Sequence, residues 1–327
     1  MNTTFNHLIN HRALTTFGSI EAELKLQSEK NYLFDLSYLG ILEVIGEKAG
    51  EFLQGQLTCD VNSISDIQMI QGAQCNLKGR ILTLMDVLDW KGIKLMLPKD
   101  LLEATVKSLN KTAMLSRVNL KENNELVVLG FYLQNPQDIV PDSHFFPNNL
   151  YALTYGTGYC YFHLGNGFYI FIGESTFAEA VTQRFAEQQQ LLGSLTWHSL
   201  RLAQRQFEFY PESRGLFLPH RLDLQQTPYL SFNKGCYKGQ EIIARMHYKS
   251  TLKHQLSIYS IVTDEDIYSG QKLVHEANGS ELGELIDYSI LGAGHYLVAV
   301  SVLKGIEPVV LFEGHKKAVQ LERTPFK

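Results

Sequence analysis

From about Lys253 onward the chain is cut into apolar runs of strand length, and a chain cut that way has few means of burying them. The runs 256–262, 272–275, 284–288, 296–302 and 309–312 are separated by Ser269-Gly270, Asn278-Gly279, Gly292-Ala293-Gly294 and Glu313-Gly314. Glycine and asparagine supply the positive-φ positions that tight turns need. Short strands at regular spacing pair with one another, and curling the sheet removes its exposed edges. Residues 253–327 are therefore expected to form a small antiparallel β-barrel.

Upstream, strand and helix signals alternate. The run 41–45 reads as a strand ending at Gly46, and 47–57 carries Ala49, Phe52, Leu53 and Leu57 at helical spacing. Further strands are expected at 73–77, 81–88, 94–97, 116–120 and 126–132. Pro98 stands where a helix starts, with Asp100 and Glu103 in its first turns, and this helix is expected to reach Leu109. Pro136, Pro141 and Pro147 mark 135–149 as a surface loop or connection. Strands at 159–163 and 168–172 and helices at 176–192 and 195–206 follow. Residues 208–231 read as an extended excursion, and 1–30 as a lead-in of mixed polarity. The expected divisions are 1–30, a first α/β unit over 31–134, a second over 135–252, and the barrel over 253–327.

A chain of 327 residues is long enough for two or three domains, and its 45% hydrophobic, 19% charged composition sets disorder aside. The net charge of -5 predicts no general affinity for polyanions, so nucleic-acid contact needs a local basic patch. Cys59, Cys75, Cys160 and Cys236 are widely spaced and form no CxxC pair. That argues against a zinc site or a disulfide framework and for a reducing cytoplasm. The first residues lack the apolar core of a signal peptide, and the longest apolar runs are strand-sized, so no membrane role is expected.

The tract Lys234-Gly235-Cys236-Tyr237-Lys238-Gly239-Gln240-Glu241 sets one cysteine between two lysines and two glycines, just before Ile242-Ile243-Ala244. Neighbouring cations and a helix start near Gly239 favour a thiolate, which makes Cys236 the candidate reactive group. The other reading is a small residue buried in a tight turn. Lys234 and Arg245 suit an anion or a carboxylate, or else form a solvated basic face. Glu241 is expected to cap the helix start. Lys249, Lys253 and the tract's basic residues, with His247, Tyr248 and His254 interleaved, make either a surface for tRNA or an acidic protein, or a solvated face. No second ligand stands at metal spacing from His220, so no metal is expected.

With Arg245 included, KGCYKGQEIIAR resembles the signature of the YgfZ-type folate-binding proteins, relatives of the aminomethyltransferase (T-protein) of the glycine cleavage system. FLQGQLTCDV at 52–61 and NLKGRI at 76–81 resemble two further segments of that family, in the same order. The resemblance implies an α+β, aminomethyltransferase-like architecture in three parts: two interleaved α/β units and the C-terminal antiparallel β-barrel around a central opening. It implies tetrahydrofolate or another reduced folate as ligand, with Trp197 on one wall and Tyr38 or Leu39 on the other. A flat indole suits a pterin through stacking and burial, and it suits a helix core equally. The resemblance further implies support of iron–sulfur protein assembly or maintenance and of tRNA modification, notably methylthiolation, with partners such as a tRNA methylthiotransferase.

The paired aspartates of the enzyme relatives are matched here by Thr83 and Leu84, and the glutamate of their LRLEAG helix by Ala203. Aminomethyl transfer needs a carboxylate to manage protons, so an accessory role is expected instead. Asp86, two residues along the strand from Leu84, is expected to need a different register to stand in. Two other functions stay open: a folate-dependent aminomethyltransferase, and a non-catalytic scaffold that docks RNA or protein.

Overall fold

The computed structural model describes residues 3–141, 146–324 and 326. Residues 142–145 of the proline-bearing stretch, and positions 1, 2, 325 and 327 of the expected lead-in and barrel, lie outside the described residues. Six helices are used below: α1 (Ile20–Glu23), α2 (Ala49–Gln56), α3 (Lys99–Ala113), α4 (Ser175–Glu187), α5 (Ser194–Ala203) and α6 (Gln240–Lys249).

Two sheets share the N-terminal two thirds of the chain. One runs in the order Ile70–Cys75, Ile81–Asp89, Ile93–Pro98, Leu39–Ile45, Asn119–Asn123 and is antiparallel throughout. The other runs Leu153–Gly156, Tyr159–Gly165, Phe168–Glu174, Leu126–Tyr132, Tyr32–Asp35, Leu191–Leu192, with only the last pair parallel. Tyr32–Asp35 and Leu39–Ile45 are neighbours in sequence yet belong to different sheets. The second sheet also draws strands from both sides of residue 135, so the two units interleave.

The C-terminal sheet has seven strands in the order Val319–Gln320, Val309–Phe312, Lys272–Val274, Glu281–Gly292, His295–Leu303, His254–Val262, Glu322–Arg323, a nearly closed antiparallel barrel. The period of two explains why its central strand is buried on both faces. Val298, Val300 and Val302 fill the barrel, while Leu297 and Ala299 between them join the core of the five-stranded unit.

Helix α5 is buried from Ser194 to Leu202. It gives Leu195 to the barrel core, Trp197 and Leu200 to the six-stranded unit, and Leu202 to the five-stranded one. A helix buried on every side is enclosed by all three units, so its polar side chains need partners within the protein. Two of its polar side chains are satisfied internally: Thr196 donates to Glu23, and Ser199 bonds Ser289.

Three expectations change. Residues 5–23 are no simple lead-in. Phe5–Ile9 and Arg12–Thr16 form a hairpin turning at Asn10 (φ 52), followed by α1, and Ile9 and Leu14 enter the barrel core. Helix α4 stops at Glu187 rather than 192, because Gln189 turns left-handed (φ 55) and Leu191–Leu192 pair with Leu33 and Phe34. The strand expected at 116–120 begins at Asn119, because Arg117 (φ 55) closes the end of α3 first.

Candidate functional site

Where α5, the two sheets and the excursion meet, they enclose a cavity of about 620 Å³ counted out to its open mouth. Both Tyr38 and Leu39 line it, as does Trp197. The indole sits 5.4 Å from the Phe34 ring and 5.5 Å from Phe168, and a Cβ on Gly130 would stand 2.7 Å from it. Glycine at 130 is therefore what lets the ring lie against the sheet. Arg201, one turn on, faces the same way, with its guanidinium 5.0 Å over Phe168 and 5.8 Å over Trp197.

Opposite, Tyr38 donates its hydroxyl to Glu208, which also receives Arg12. Burial and the Glu208 carboxylate raise the Tyr38 pKa well above its ordinary value. Arg12 is 5% exposed and pairs bidentately with Asp100 at 2.8 Å. Behind this wall, Asp287 accepts from Tyr210 at 2.8 Å and pairs with His198 at 3.1 Å. Burial would lower His198, but the Asp287 carboxylate outweighs it and the pKa is raised.

The reading of Asp86 is corrected by the strand itself. Leu84, Met85 and Asp86 on Ile81–Asp89 all line the cavity, so Asp86 borders it in the existing register. Thr83 faces away, its hydroxyl donating to the Leu84 carbonyl. Ala203 does not line the cavity, packing instead against the five-stranded unit's core. Burial pushes Asp86 up to about 6, against partial relief from Gln71 and Arg201. The unfolded chain releases this proton first, so stability falls as pH rises from about 4 to about 6, and the full cost of about 3 kcal/mol is present above that.

The cysteine tract lies elsewhere: no residue of 234–245 lines the cavity, so Cys236 and the Trp197 wall do not share one opening. Instead, the three sequence motifs converge. Lys234 Nζ donates to the carbonyls of Gln54, Leu57 and Cys59 at 2.8, 2.8 and 2.6 Å. Lys238 N donates to Gly55 O at 3.1 Å. Gly239, in the left-handed region (φ 85), N-caps α6, and a Cβ there would stand 2.4 Å from Asn76 O and 3.0 Å from the Gly79 Cα.

The Gln54 carbonyl in the last turn of α2, that of its cap Leu57 and that of Cys59 just beyond have no intrahelical partner, and the Lys234 ammonium supplies one to each. This corrects the sequence reading: with its three donors spent on carbonyls, Lys234 holds no anion and does not attend the thiol. Burial lowers its pKa to about 8. Replacing Lys234 with methionine is expected to cost roughly 2–4 kcal/mol in a urea titration, since it strands three carbonyls. A loss under about 1 kcal/mol would contradict the clamp.

Cys236 is exposed, whereas Cys59, Cys75 and Cys160 are buried. Burial raises all three, Cys59 and Cys75 to about 12. Gly235 has open space around it, and Tyr237 is buried with Lys234 5.1 Å from its ring centre. Gln240 accepts from Tyr237 N, while Glu241 sits in the first turn of α6 without making a cap bond. Arg245 is exposed. Beside the tract, Lys78, Arg80 and Lys238 line an open groove. Farther along α6, His247 stacks on Phe232 at 3.8 Å and Tyr248 is 67% exposed. His220 is buried, which lowers its pKa to about 4, with His247 adding to the effect.

Sequence reasoning missed Arg12, Arg201, Glu208 and the placement of Asp86. Two had a local signal: Arg201 stands four residues after Trp197, and Asp86 shares the parity of Leu84. Arg12 and Glu208 had none.

The fold is that of an aminomethyltransferase. The whole chain superposes on 95% of the glycine cleavage system aminomethyltransferase T from Bartonella henselae, with a TM-score of 0.69 at 16% identity. The three-part α+β architecture expected from the resemblance is thereby met, with its sheets interleaved and its barrel C-terminal.

Among curated proteins, the chain is similar to the tRNA-modifying protein YgfZ from several bacteria. It is 29% identical to that of Colwellia psychrerythraea over 234 residues, 70% of this chain and 72% of that one. It is 27% identical to that of Klebsiella pneumoniae over 300 residues, 90% and 91% of the two chains. No family model matches the chain. The resemblance to YgfZ-type proteins thus extends well beyond the three motifs.

Proposed function

We propose that this chain is a folate-binding protein serving tRNA modification, with a reduced folate such as tetrahydrofolate in the Trp197 cavity and Cys236 as a reactive thiol on a separate surface turn. The observation that carries the reading is the lining of the cavity: a fixed indole, a guanidinium, the buried Asp86 carboxylate and the Glu208 carboxylate around one open-mouthed space. It lies within a fold shared with the glycine cleavage aminomethyltransferase. The names of the similar proteins support the tRNA side. The reading extends to iron–sulfur protein assembly or maintenance in the cytoplasm, with a tRNA methylthiotransferase as the kind of client served. An exposed thiol on a glycine-bearing turn is open to a large partner, and the basic groove of Lys78, Arg80 and Lys238 beside it suits an acidic one.

The test uses a Trp90→Phe protein, so that Trp197 alone reports. Titration with tetrahydrofolate or 5-formyltetrahydrofolate is expected to change its fluorescence saturably. No saturable change with any reduced folate would overturn the cavity assignment. In cells, Cys236→Ser is expected to reduce tRNA methylthiolation to the level of the deletion, with a melting temperature within about 3 °C of the parent, as befits an exposed site. Full methylthiolation would remove the thiol from the mechanism.

A further inference from the structure

Asp86 is costly to keep, and nothing in the packing requires a carboxylate there. Its neighbour Gln71 is fixed: the side-chain oxygen accepts from Tyr151 at 3.0 Å, which turns the amide nitrogen to Asp86 Oδ1 at 3.1 Å. Among the described residues, Oδ2 has no hydrogen-bond donor, and Asp86 lines the cavity. Arg201 lines it too, buried and close enough to act electrostatically on Asp86. Two carboxylates and one guanidinium therefore border a cavity walled by Trp197, Tyr38 and Phe207, and of the carboxylates Glu208 is already taken by Arg12 and Tyr38. A buried carboxylate beside a flat apolar wall asks for a planar ring that brings adjacent N–H donors, and a buried guanidinium asks for an oxygen acceptor on the same edge.

We infer that Asp86 selects the ligand, its carboxylate accepting from the ring N–H and exocyclic amine of a 2-amino-4-oxopyrimidine edge while Arg201 donates to the oxo group. This rests on the cavity being the ligand site. Two kinds of biological molecule present that edge: pterins and guanine nucleotides. Asp86 is thus a specificity-determining residue, supplying from a neighbouring strand the charged acceptor that Ala203 cannot. The groups facing it are Arg201 from α5, Gln71 from the adjacent strand, Tyr151 and Tyr229, whose hydroxyls burial keeps neutral, and across the cavity Glu208, paired with Arg12. Burial raises the Asp86 pKa to about 6, within the pH range of the titration below.

The experiment is calorimetric titration of the full chain with 5-formyltetrahydrofolate, its 2-desamino-2-methyl counterpart and guanosine 5′-monophosphate, from pH 5.5 to 8. The parent protein is expected to favour an amino-bearing ligand over the desamino compound at least about tenfold, as a charge-assisted hydrogen bond warrants, and to lose affinity below pH 6. Asp86→Asn is expected to abolish that preference, flatten the pH profile and melt no lower than the parent. Asp86→Ser serves as a second variant should asparagine misfold. Trp197→Phe weakens binding but keeps the preference. Tight folate binding by Asp86→Asn with the preference and pH profile intact would overturn the role of Asp86 and leave the cavity assignment standing. Saturable guanosine monophosphate binding with no folate binding supports the edge reading and removes the folate. Binding of neither ligand overturns both.

Discussion

Replacing Arg12 with methionine is expected to lower the unfolding free energy by roughly 3–5 kcal/mol. Arg12 sits in the hairpin yet reaches across to the first turn of α3 and to the cavity wall, pairing with Asp100 and Glu208 and donating to the Phe209 carbonyl. Its guanidinium also lies 4.4 Å from the Tyr210 ring centre. Methionine keeps much of the volume but leaves the Glu208 carboxylate without its cation beside the Tyr38 hydroxyl. Breaking one partner of a buried pair costs far more than the pair contributes, because the other charge stays desolvated. A urea titration followed by circular dichroism measures the loss. The Asp100→Asn variant, on a more exposed partner, should lose less. A loss under about 1 kcal/mol for Arg12→Met would show that the network is incidental.

Gly239→Val is expected to cost about 3–5 kcal/mol and to abolish any function that depends on the Cys236 turn. Two penalties combine. Valine is strained at a φ of 85, and its Cβ would stand 2.4 Å from the Asn76 carbonyl, which is backbone and cannot swing aside. The turn at 76–80 is itself tied by Asn76 Oδ1, which accepts from Lys78 N and Arg80 N at 2.9 and 3.1 Å, so it resists retreat. Gly235→Ala is the internal comparison: no atom lies within 4 Å of its Cβ, and a change within about 0.5 kcal/mol is expected. Equal melting temperatures for Gly239→Val and the parent would refute the docking.

Much of the architecture was written in local pattern. Leu126–Tyr132 and Val309–Phe312 have the bounds that their apolar runs imply, and Pro98 stands immediately before α3. The N-terminal hairpin was not legible: only Ile9 and Leu14 of its apolar positions are central to the core, and the partners that make them so are in a barrel whose first strand starts at His254. In the site, the tract around Cys236 and the importance of Trp197 were readable from residue types. The roles within the tract were not. Lys234 looked like a partner for the thiol because it is two residues away, yet its bonds go to Gln54, 180 residues distant, and to Leu57 and Cys59.

By itself, then, the sequence determined where most strands and helices beyond residue 31 form and which cysteine stands among glycines and cations, because each depends on dihedral preference and on periodicity over a few residues. The folded molecule alone decided that Lys234 clamps a helix end, that Asp86 faces the cavity and that Cys236 does not. Those outcomes depend on which unsatisfied carbonyl, carboxylate or ring is brought alongside by packing between distant segments. Desolvation there sets the strength of each interaction, and no local pattern encodes it.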